Sequence, residues 1–360
     1  MKLITMKKEF IKGFAYRYKF SLVALMVFLL GGGILFGQGG FRFRGGGGGG
    51  GGGGTTTTGG GTVVTGVNTY SVNVRNVNKT MSDGANVNFW GFNSEIPGPV
   101  IIVGENQRFD LTLQGGMWPH EMSPYQGHTI HLHGLDVPQS EDGVPETGAP
   151  VMGDTYTFYT GSGWAGTYAY HCHVHTVKHL EQGMYGMIVV KPVDSAGNTT
   201  NEVYSGGPRY DYEEFWTLST VDPAYHTATG DSTVFADYNP KYYLISGKEG
   251  LSQASPAKTL AAAPGKNVIY RLNGMHSVNS TFSVKDASGN AKAFTVYMQA
   301  GRKLAQPETV TSLDVAPGQT FDVLLTLPSS SGTLYPQLTY KDLRNNMPYT
   351  NGTVYTKVTF

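Results

Sequence analysis

Two hydrophobic patterns divide this chain. From Val63 onward, apolar and polar residues alternate in short runs separated by Gly, Pro and Asn, the period of half-buried β-strands. The runs Thr69 to Val77, Val87 to Gly91, Val100 to Val103, Gln107 to Leu113, His128 to His133, Thr155 to Thr160, Gly166 to His173 and Gly186 to Val190 predict eight strands within 63–193. No long stretch carries the helical period, so the reading is all-β: a Greek-key β-sandwich. A segment rich in Gly, Ser, Asn and Asp, 194–212, reads as a connection, and strand-like runs resume over 213–360 as a second β-sandwich domain. Upstream, Phe20 to Phe36 is one apolar run behind a basic segment. Residues 1–19 hold Lys2, Lys7, Lys8, Lys12, Arg17 and Lys19 against the single acid Glu9. This predicts a basic cytoplasmic N-terminus, a transmembrane anchor or signal segment at 20–37, and everything beyond it outside the cytoplasm. The Gly/Thr-rich stretch 38–62 reads as a disordered linker.

Composition sharpens this picture. Aromatics make up 12% with 22 Tyr, which suits strands, and the formal net charge is zero. No basic field exists to attract nucleic acid. Asn78, Asn198, Asn279 and Asn351 each open an Asn-x-Ser/Thr triplet, a glycan acceptor in an exported protein.

The chemistry gathers in two places. Cys172 is the only cysteine, so no internal disulfide is possible, and a nucleophile, redox sensor or metal ligand remains. Eight of the ten histidines fall between positions 120 and 179. Side chains alternate faces along a strand, so His171 and His173 share one face while Cys172 takes the other. By the same parity His131 and His133 share a face and His128 takes the opposite one. Two sites follow: His128, Cys172, His179 and Met184 in one, and His131, His133, His171 and His173 in the other. The first is the donor list of a blue-copper centre, two imidazoles and a thiolate with a weak thioether. Zinc would accept the His and Cys donors but gain little from the Met. A single His-x-His on a strand is usually incidental surface. Two such pairs beside the sole Cys are not. His120 reads as solvated, and His175 as lying in the loop beyond the cluster.

These residues resemble the multicopper oxidases, laccase-like proteins built from cupredoxin domains. His128-Thr-Ile-His-Leu-His-Gly134 is similar to their HxxHxHG motif, His171-Cys-His173 to their HCH motif, and His179-Leu-Glu-Gln-Gly-Met184 to their closing HxxxGM. Asn93 to Ile101 and Asp142-Gly-Val-Pro145 also resemble family segments, and the likeness covers roughly residues 63 to 360. The chain departs by about two extra residues between His173 and His179. The resemblance implies a type 1 copper at His128, Cys172, His179 and Met184, with type 2/3-like copper at His131, His133, His171 and His173. A reductant, whether a small molecule, a metal ion or a redox protein, would give up one electron near His179. That electron would pass through Cys172, with O2 as acceptor. The second domain resembles the copper-free cupredoxin domain of laccases, for its His226 and His276 are unpaired. The four ligands missing from a full cluster would then come from another subunit, as in a homo-oligomer such as a trimer, or from a partner chain. Two other readings stay open: a membrane-tethered blue-copper electron carrier, and an enzyme resembling copper nitrite reductases.

Overall fold

A computed structural model describes residues 54–58, 61–114, 127–145, 155–227 and 238–360. The basic N-terminus, the apolar run at 20–37 and His120 lie outside them. Among the described residues no helix is long and apolar enough to cross a membrane.

The first domain is a sandwich. Its strands are β1 (Gly54–Thr58), β2 (Gly61–Thr65), β3 (Thr69–Val72), β4 (Val74–Thr80), β5 (Asn86–Phe92), β6 (Val100–Gly104), β7 (Arg108–Leu113), β8 (His131–His133), β9 (Thr155–Tyr159), β10 (Gly166–His171) and β11 (Tyr185–Lys191). One sheet runs β1-β2-β6-β11-β10-β8; β3-β7-β9 and the β4-β5 hairpin form the rest. β6, β10 and β11 are buried along their whole length, as their unbroken apolar and aromatic runs require of central strands covered on both faces. β7 and β9 alternate instead, turning Phe109, Leu111, Tyr156 and Phe158 inward. The core they enclose also holds Cys172 and Met184.

Three expectations need correction. Residues 38–62 are not wholly a disordered linker: Gly54–Thr58 pairs with Gly61–Thr65, and β2 continues alongside β6. β-branched Thr suits a pleated strand, and the edge of β6 offers free backbone groups. The run Thr69 to Val77 is two strands, broken at Asn73. Its N–H donates to the Asn93 side chain at 2.9 Å, so β3 joins β7 while β4 crosses over to β5. The strands carrying the histidines are also shorter than the parity argument assumed. β8 starts only at His131 and β10 stops at His171, because Ile130 N–H donates to the Tyr156 hydroxyl at 3.2 Å rather than to a ladder partner.

The second domain packs two sheets around Trp216, Tyr270, Phe282 and Phe294. It lies directly against β10 and β11. Asn273 Nδ2–H donates to Gly186 O at 3.0 Å, Thr320 Oγ1–H to Thr167 O at 2.7 Å, and the Tyr168 hydroxyl to Gly301 O at 3.0 Å. Within 194–212, Val203 and Tyr210 are buried against Ile269, Met298 and Leu324, so part of this connection belongs to the second domain's packing.

Candidate metal centres

Cys172 follows the last residue of β10, and its N–H donates to Met184 O at 3.1 Å. The chain between them forms the short helix α1 (Thr176–Glu181), which returns His179 to the sulfur. Cys172 Sγ stands 3.1 Å from His179 Nδ1 and 3.7 Å from His128 Nδ1. Met184 is tied to the same loop, its N–H donating to His179 O at 3.0 Å, and is fully buried. Burial alone would push the Cys172 thiol up, but His179 and then His128 pull it down to about 5, so the sulfur is a thiolate at neutral pH. Sulfur and nitrogen donors about 2.0–2.3 Å from a common ion lie about 3.3–3.7 Å apart at near-tetrahedral angles. The 3.7 Å separation falls in that range and the 3.1 Å one just below it, so a small outward shift of His179 would seat one metal ion between these three side chains. Soft thiolate with a thioether in reserve favours copper over zinc.

The second site lies on the sheet face around β8 and β10. His131 pairs in register with His171, which places two imidazoles side by side. The ligating atoms of His131, His133 and His171 all lie within 4.8 Å of one another. His173 borders the group, its ring centroid 5.1 Å from that of His131, and its Nδ1 is buried without a hydrogen-bond partner. A buried ring nitrogen left without a proton donor or acceptor is what a metal ligand looks like before its metal is bound. His171 Nδ1–H donates to Cys172 O at 2.9 Å, which turns Nε2 toward the other rings, within hydrogen-bond reach of His133 Nδ1 at 3.3 Å. Burial, above all, lowers His171 to about 3 and lowers His133 as well, so both rings are neutral with lone pairs available at neutral pH. On the second-domain side the turn at Gly318, with φ 77°, lies against the His133 ring. A side chain there would meet both backbone strain and the imidazole.

Six of the eight residues expected in the two sites form two triads joined by the tripeptide His171-Cys172-His173. His173 borders the second triad, and Met184 is buried in the same core as Cys172. His175 is exposed at φ 42°, its ring 5.9 Å from that of His179. Sequence reasoning assigned no role to Asp142. Its carbonyl accepts from His131 Nδ1–H at 2.6 Å and its carboxylate lies 3.4 Å from the same nitrogen, which fixes the tautomer and turns Nε2 toward the site. An acid beside Gly143 in the Asp142-Gly-Val-Pro145 segment was the available signal. Asp142→Ala keeps the carbonyl contact and loses only the carboxylate. It should therefore cost about tenfold in metal affinity at the histidine site, the low end for such partners, leaving the Cys172 site unchanged in a copper competition titration.

A buried thiolate and two imidazoles, with a thioether in the same core, are the donor set of a blue-copper centre, and a second histidine cluster lies next to it. The comparisons agree. The Multicopper oxidase family pattern is matched twice, over residues 73–195 and again over 213–358. This chain belongs to the multicopper oxidase family. It is similar to the copper-containing nitrite reductase of Neisseria meningitidis serogroup B, 31% identical over 207 residues, covering 57% of this chain and 49% of the relative. It is also similar to putative laccase-5 of Oryza sativa subsp. japonica, 23% identical over 254 residues, covering 67% and 42%. The chain thus spans about half the length or less of these curated relatives. The fold matches the blue copper oxidase of Nitrosomonas europaea at a TM-score of 0.62 and 20% identity, over 81% of this chain and 85% of that one.

Proposed function

We propose that this chain is a copper-dependent oxidoreductase of laccase type, taking single electrons from a small-molecule or metal-ion reductant, or from a redox protein, and passing them to O2. One observation carries the reading: Cys172 lies between His171 and His173, so the thiolate of one site is covalently continuous with two imidazoles of the other. Bound copper would supply one-electron redox chemistry that no side chain here has. The chain's own residues do the rest. Cys172, His128, His171 and His179 are buried, and His131, His133 and His173 are partly so. His171 Nδ1–H on Cys172 O fixes the bridge, and the neutral rings need shed no proton to bind. Among the described residues neither donor group includes a second-domain histidine. The further ligands of a full cluster would therefore come from a partner chain, or from the first domain of another copy in a homo-oligomer. The basic segment and apolar run at the N-terminus support an extracytoplasmic location with a membrane tether.

The nitrite reductase likeness favours a second reading, in which nitrite replaces O2. One experiment addresses both. In His131→Ala combined with His173→Ala, the visible absorption of the Cys172 site should persist while O2 uptake with a phenolic reductant disappears. Unchanged uptake would sink the two-site reading. Nitrite consumption without O2 uptake by the unmodified protein would favour the second acceptor.

A further inference from the structure

The loop that carries His179 is clamped to the second domain by a buried polar network. Glu181, on α1, accepts the Asp222 N–H on Oε1 at 2.8 Å and the Tyr238 hydroxyl on Oε2 at 2.8 Å. His226 Nε2 stands 3.6 Å from Oε1, with both side chains almost fully buried. Lys178 and Gln182 both donate to Tyr225 O, Gln182 at 3.0 Å. Asp222, Tyr225 and His226 lie at or within a second short helix, α2 (Pro223–Thr227).

A return path closes the ring. His226 Nδ1–H donates to Asn88 O at 2.7 Å, and its ring meets Phe89 edge-on at 4.5 Å. The next residue, Trp90, donates its N–H to Gln182 O at 2.7 Å and stands edge-on to His179 at 5.4 Å. His179 is thus gripped both through α1 and through β5, and both routes run through α2. A helix of six residues is far below the roughly 12–15 that persist alone in water, so these contacts give α1 its shape.

We propose that Glu181, with Tyr238 and His226, positions the type 1 ligand His179, so that a domain contributing no ligand of its own tunes the metal held at Cys172. The claim rests on the reading of copper at His128, Cys172 and His179. The alternative is a simple clip that holds two domains together and leaves the metal untouched.

The test uses the full chain loaded with copper, comparing Glu181→Ala and Tyr238→Phe with the unmodified protein. The readouts are the midpoint potential against a one-electron mediator, the copper hyperfine splitting in electron paramagnetic resonance, and the melting temperature. Glu181→Ala should move the mediator equilibrium at least tenfold, 59 mV for one electron, and change the hyperfine splitting. Tyr238→Phe keeps the carboxylate charge and deletes the hydroxyl's bonds to Glu181 and Thr220, so a smaller shift in it reports positioning rather than charge. If both variants lower the melting temperature yet keep the potential and spectrum of the unmodified protein, the proposal is overturned. If Glu181→Ala does not fold, Tyr238→Phe decides alone: a shift supports positioning, and an unmoved potential refutes it. A copper-loaded unmodified chain with no thiolate–copper absorption would overturn the copper reading itself, a result separate from any variant.

Discussion

Replacing Cys172 by Ser should abolish the visible absorption of the copper-loaded protein and lower oxidase turnover by more than about 100-fold, the upper end of what outer-sphere substitutions cost. The fold should survive. Ser is nearly the same shape, the Cys172 N–H bond to Met184 O is made by the backbone, and the surrounding core of Phe92, Leu132 and Tyr170 is untouched. What is lost is a thiolate that His179 and His128 hold at about 5 against the cost of burial. A hydroxyl in that place stays protonated and is a poor copper ligand. Absorption, far-ultraviolet circular dichroism and O2 uptake on one preparation check the three parts separately. A variant that stayed coloured would show that the metal is held elsewhere.

The largest expected effect on stability lies between the domains. Asp322 and Arg271 are both fully buried, and Arg271 Nη1 sits 3.2 Å from Asp322 Oδ1. Arg271 Nε also donates to Glu213 at 2.8 Å, and Lys191 of β11 reaches Glu213 at 2.9 Å. Asp322 in turn accepts the Thr167 N–H of β10 at 3.2 Å and the Thr167 hydroxyl. Burial raises the Asp322 carboxyl, and Arg271 offsets this only in part, whereas Glu213, with two cations beside it, is held below the usual range despite its own burial. Asp322→Ala should therefore cost about 3–5 kcal/mol, because it leaves a buried guanidinium with one carboxylate partner and strands the Thr167 donors. Arg271→Met added to Asp322→Leu should recover part of that loss, since the apolar pair carries no charge to desolvate and Glu213 keeps Lys191. Denaturant melts followed by tryptophan fluorescence measure both. A loss under 1 kcal/mol for Asp322→Ala would mean that water reaches this cluster.

The candidate donors were legible because their chemistry is local. Residue type, the alternation of faces along a strand and the sole cysteine sort His128, Cys172, His179 and Met184 from His131, His133, His171 and His173 without any tertiary information. The same parity assigned His128 to a strand it does not occupy. His128 nevertheless falls with Ile130 and Leu132, which are buried in the same core as Cys172. The Gly/Thr-rich tract misled in the other direction. Residues 54–62 carry no core-forming residue, yet an open edge on the sheet was there to receive the hairpin they begin.

Sequence alone determined which atoms are available to hold metal, that they form two sets, and that the protein is built of β-sandwiches, since each depends on residue type and on a period of two along one strand. Only the tertiary structure decided that His131 stands in register with His171, that Asp142 orients one imidazole, and that Glu181 ties the His179 loop to a domain with no ligand in the site. Register and docking are contacts between segments 40 or more residues apart, as Glu181 and Asp222 are at 41. No local pattern encodes them, because they are selected by the burial of faces that meet only once the chain has folded.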